Sequence, residues 1–119
     1  MSEQQNQETI TKTLDFLKKL ERKLDALLIL ELGKNECLEG WLKDVRKIIA
    51  ILDGMPVKLS IDIALPSRKT ELRFNRFSID LGENLKMEEI TYNFLAYKIT
   101  DNIKSILEKL RSDLKNCEH

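Results

Sequence analysis

The sequence predicts a mixed α+β domain of two layers, with elements in the order α-α-β-β-α. Three observations carry that prediction. Apolar residues recur at steps of three and four in two stretches before residue 53 and in one after residue 85, which is helical spacing. Between residues 57 and 81 they alternate at every second position, the period of a strand. Gly33, Gly54 and Gly82 then fall at the joints between these stretches, where a chain changes direction.

The first helix carries its apolar stripe on Ile10, Leu14, Leu17, Leu20, Leu24, Leu27 and Leu28, with Lys18, Lys19, Glu21, Arg22, Lys23 and Asp25 on the other face. Residues 1–8 are polar and Gln-rich and are expected to be a frayed lead-in, so that Thr9, Thr11 or Thr13 caps the helix. Gly33 suits a left-handed terminating position, and Asn35 suits the cap of the next helix. That second helix runs from about Glu36 to Leu52 on Leu38, Trp41, Leu42, Val45, Ile48, Ile49 and Leu52, and Gly54 followed by Pro56 stops it. Gly40 weakens it by about 1 kcal/mol relative to Ala, which close packing against helix one would explain. The short link predicts an antiparallel helical hairpin.

Val57, Leu59, Ile61, Ile63 and Leu65 then alternate with Lys58, Ser60, Asp62 and Ala64 to form a half-buried strand. Residues 66–69 read as a loop. The second strand begins at Thr70, and its apolar phase slips once near Asn75-Arg76. A β-bulge there pairs Leu65 with Thr70, Ile63 with Leu72 and Ile61 with Phe74, and sets Asp62 against Arg73. Gly82-Glu83-Asn84 turns the chain into one long C-terminal amphipathic helix over 85–116, capped by Asn84, with a stripe through Tyr92, Ala96, Ile99, Ile103, Ile106, Leu110 and Leu114. Such a helix runs roughly 48 Å, whereas a compact chain of this size has a radius of gyration of about 13–14 Å. Part of the stripe should overhang and need a second chain. The alternative is a bend or break near Thr100-Asp101-Asn102 that folds the helix back within a monomer.

The 119 residues suit a single domain, 42% apolar and 34% charged, with 20 basic and 20 acidic residues. That balance counts against general nucleic-acid binding. Only residues 57–82 lean positive, with Lys58, Arg68, Lys69, Arg73 and Arg76 against Asp62, Glu71 and Asp80. No helix-turn-helix with a recognition helix precedes the strands. Cys37 and Cys117 stand in no metal-ligand spacing and read as two reduced thiols. The N-terminus has no apolar signal core, and apolar runs such as 26–30 are far too short to span a membrane. A cytoplasmic protein without membrane contact is expected.

No chemistry-bearing motif emerges. His119 is the only histidine and the last residue. Glu36/Glu39 and Glu88-Glu89 read as solvated acids near helix starts. The glycines form no phosphate loop. Trp41, Phe74, Phe77 and Phe94 read as core. No catalytic residue, cofactor or metal is expected. The resulting expectation is a non-enzymatic protein–protein interaction or assembly module of adaptor, regulator or inhibitor type. It would associate through Ile99, Ile103, Ile106, Leu110 and Leu114 of the C-terminal helix, as a homodimer or with another protein. The alternative is a nucleic-acid or phosphate-ligand binder using Lys58, Arg68, Lys69, Arg73 and Arg76 of the hairpin.

Overall fold

The structure is a computed structural model that describes residues 3–117. Its helices are α1 (Glu3–Leu30), α2 (Glu36–Leu52), α3 (Tyr92–Asp101) and α4 (Ile103–Cys117), and its strands are β1 (Ser60–Ala64), β2 (Lys69–Arg73) and β3 (Ser78–Glu83). The class is mixed α+β as expected, in the order α-α-β-β-β-α-α. Helix α1 reaches back through the Gln-rich segment, whose Gln and Glu residues are good helix formers. Glu3–Glu8 therefore belong to the helix, while Met1 and Ser2 lie outside the described residues. The Thr11 hydroxyl donates to the Gln7 carbonyl at 2.9 Å within the helix, so it caps nothing.

Helix α2 has the bounds its signals imply. The Asn35 side chain accepts the Leu38 N–H at 3.0 Å. At the other end Gly54, with φ of 70°, donates to Ile51, and Met55 donates to Ala50, which is a Schellman ending. The hairpin is antiparallel: Lys18 lies 3.7 Å from Asp53, and Arg46 contacts Glu21 and Asp25 at 3.0 and 3.6 Å. These exposed pairs add at most about 1 kcal/mol each. Burial of Leu17, Leu24, Trp41, Val45, Ile48 and Ile51 holds the two helices together.

The expected second strand is two strands. The chain reverses over 74–77, where the Phe74 N–H donates to the Phe77 carbonyl at 2.9 Å, and β3 returns beside β2 in an antiparallel sheet of order β1-β2-β3. The slip near Asn75-Arg76 is thus a turn. A bulge occurs instead between Thr70 and Glu71, opposite Leu81, where Asp80 accepts the Gly82 N–H at 2.9 Å and Gly82 takes φ of 119°. The β1–β2 register sits two residues from the expected one, with Ile63 opposite Thr70 and Ile61 opposite Leu72, so the loop is 65–68. A shift of two keeps every side chain on its face. Asp62 now opposes Glu71, yet Arg73 still reaches it diagonally at 2.7 Å.

The C-terminal helical segment is long, as expected, but it starts later and is interrupted. A 3-10 turn over Met87–Glu89 precedes it, and Thr91, not Asn84, caps it by accepting the Phe94 N–H at 3.1 Å. Asn102 (φ −104°, ψ 5°) separates α3 from α4, and its side-chain amide donates to the Lys98 carbonyl at 2.7 Å. That break turns the stripe onto the rest of the chain. Ile99, Ile106 and Leu110 are buried, and Ile103 and Leu114 pack half-buried against the core. The C-terminal end of α4 meets the start of α2, where Cys37 and Cys117 form a disulfide with Cα atoms 5.8 Å apart. Two thiols 80 residues apart in sequence gave no sign of this, because only the break at Asn102 brings the second one back.

Candidate interaction surfaces

The five stripe residues expected to face a partner are occupied within the chain itself. Ile99, Ile106 and Leu110 belong to the core, and Ile103 and Leu114 lie against it, so α4 presents no open apolar stripe. Trp41 shows why α4 sits there. Its indole N–H donates to Asp113 at 3.0 Å, which satisfies the one polar atom of a fully buried ring. Arg76 reaches the same carboxylate oxygen at 3.4 Å. To do so it lies across Gly40, where a Cβ would approach the Arg76 Cδ to 2.9 Å. Gly40 therefore makes room for the sheet turn, not for α1.

The basic hairpin does not form one positive patch. Arg73 pairs with Asp62 at 2.7 Å, Lys69 with Asp80 at 3.6 Å and Arg76 with Asp113 at 3.4 Å. Lys58 and Arg68 are exposed and make no ion pair among the described residues. Lys47, Ser60, Asp62, Arg73, Phe74 and Asn75 line a cleft of about 380 Å³ beside β1. Lys47 sits 5.7 Å from the centre of the Phe74 ring. Both charges that face this cleft from the sheet, Asp62 and Arg73, already neutralise each other.

Sequence reasoning missed Asp44. It is wholly buried in α2 and accepts the backbone N–H groups of Asn75 and Arg76, each at 2.7 Å, and the Asn75 side-chain amide at 2.9 Å. This carboxylate sets the 74–77 turn. Its position was the signal, because it falls three residues after Trp41 and four before Ile48, on the buried stripe of α2. Stacking of Phe77 on Trp41 and of Phe74 on Phe77, with centroids 5.4 and 4.5 Å apart, completes the support of the turn.

The sheet's apolar face is covered unevenly. Thr70, Leu72, Ile79 and Leu81 are buried beneath β2 and β3. On β1 only Ile61 is half-covered, while Ile63 is 43% exposed and the following Leu65 is 76% exposed. β1 is also an edge, with one row of backbone groups paired to β2 and the other open. A second apolar group, Ile29, Leu30 and Leu32, is exposed where α1 ends.

Among the described residues no group of three or more His, Cys, Asp or Glu side chains is placed to hold a metal ion. Glu36 and Glu39 lie in the first turn of α2, where Glu39 pairs with Lys43 at 3.2 Å; Glu88 and Glu89 lie exposed in the 3-10 turn. His119 lies outside the described residues. No helix among them is long and apolar enough to cross a membrane. The chain matches no family model, no curated protein and no solved structure.

Proposed function

We propose that this chain is a non-catalytic, cytoplasmic protein–protein interaction module whose contact surface is the open edge of β1. One observation carries the reading: the edge strand leaves Ile63 and Leu65 uncovered on the face where β2 and β3 bury their apolar residues. An exposed apolar edge favours an added strand, whose backbone satisfies the open N–H and C=O groups while alternate side chains extend the apolar face. This places association on the sheet and not on the C-terminal helix, whose stripe already packs on α2 and the rest of the core. The basic hairpin gives a weaker case for nucleic acid, because three of its five bases are engaged by acids.

The test is selection of extended peptides against the folded chain from a displayed library. Binders should lose affinity at least about tenfold on Ile63→Lys and keep it on Leu30→Lys, as expected when an anchor residue is removed. Binders that ignore Ile63→Lys and are lost on Leu30→Lys would move the surface to the end of α1. A library that yields none would overturn the reading.

A further inference from the structure

We infer that the strand added to β1 is β1 of a second copy of this chain, which joins two three-stranded sheets into one of six. The inference rests on the reading of β1 as the contact edge and goes beyond it by naming the partner. An antiparallel pair about a two-fold axis must keep side chains of like face opposite one another, so the axis passes through a residue. Strand β1 offers four such centres that involve its charged residue. A centre at Asp62 sets two carboxylates face to face. A centre at Ile61 sets Asp62 against Ser60 of the other copy, and one at Ile63 sets it against Ala64. A centre at Ser60 sets Asp62 against Lys58, and by symmetry does so twice.

Only the Ser60 register joins opposite charges, and the groups for it are at hand. Lys58 is exposed and makes no ion pair among the described residues. Asp62 engages Arg73 through Oδ2 alone, which leaves Oδ1 for a second cation. On the opposite face this register sets Leu59 against Ile61 and Val57 against Ile63 of the other copy. Ile63, the least covered residue of that face within β1, is thereby covered. Charge and apolar face thus agree on one register, which is what a self-complementary edge requires.

The experiment is solution mass by light scattering across a concentration series, on wild type and charge variants. Wild type should reach twice the chain mass of 13.9 kDa. Lys58→Asp and Asp62→Lys each replace two attractions by two like-charge contacts and should each weaken the dimer by about ten- to a hundredfold. An equimolar mixture of the two variants should form a mixed dimer, seen by native mass spectrometry, because every cross-pair is again opposite in sign. The double swap on one chain should restore self-association. Lys58→Asp breaks no ion pair of the fold, so a folding failure of Asp62→Lys leaves the test standing. A wild type that stays monomeric overturns the second copy as partner while leaving the peptide selection to judge the edge itself. A dimer that neither variant weakens overturns the proposed register.

Discussion

The residue that fixes the middle of this molecule is Asp44. A buried carboxylate is costly unless every lone pair facing protein finds a donor. Here three donors from one tight turn converge on it, two of them backbone N–H groups with no other outlet. The exchange explains why residues 74–77 reverse direction without the Gly or Pro that usually marks a hairpin. Asp44→Ala removes the acceptor and strands the donors, so it should cost about 3–5 kcal/mol, the range for breaking a buried charged network. Asp44→Asn keeps one acceptor oxygen and should cost less. Urea unfolding checks both, with a lower midpoint and an unchanged slope as the expected result. A loss for Asp44→Ala below about 1 kcal/mol, the size of an ordinary hydrogen bond, would show that the turn holds without it.

At the scale of elements, capping decides where the C-terminal helices begin. Thr91 accepts the Phe94 N–H, whereas Asn84 sits at φ of 57° with its own N–H donated to Arg68, outside any helix. Thr91→Ala should therefore lower stability by about 1 kcal/mol, and Thr91→Ser should leave it within about 0.5 kcal/mol. Equal losses for both in thermal unfolding would place the helix start elsewhere. Much of the fold was legible at this scale. The mixed class followed from the change of period at Val57, and both ends of α2 followed from Asn35 and Gly54. Local chemistry fixed those features, so local sequence revealed them. The third strand and the break at Asn102 rest on partners far along the chain: Asp44 for the turn, and the core around Trp41 for the fold-back of α4. The slip at Asn75-Arg76 marked the right place with the wrong device. Of the candidate surfaces, the Asp62–Arg73 pair was legible from alternation. The uncovered edge was not, because which strand lies outermost depends on how many strands there are.

At the scale of the whole molecule, the fold is a closure. Helix α4 returns across 80 residues to the start of α2 and is fastened there three times. Asp113 takes the Trp41 indole, the Asn35 side-chain amide donates to the Cys117 carbonyl at 3.1 Å, and Cys37 bonds to Cys117. The covalent link acts on the unfolded chain more than on the folded one, since it forbids the open conformations of a loop of that length. The loop-entropy relation gives such a link about 4–5 kcal/mol. That is a large share of the 5–15 kcal/mol that holds a typical domain. In a thiol-reducing cytoplasm the chain would run without it. Reduction of the native protein, or Cys117→Ser, should therefore lower the unfolding free energy by about 4 kcal/mol in urea. Cys37→Ser should do the same, and the double variant should lose no more than either, because one bond is removed in all three. The two hydrogen bonds on either side of it remain, so far-UV circular dichroism of the reduced chain should match the oxidised one at low urea. Equal midpoints with and without reductant would mean that the noncovalent contacts of Asn35 and Trp41 alone hold the end of α4 in place.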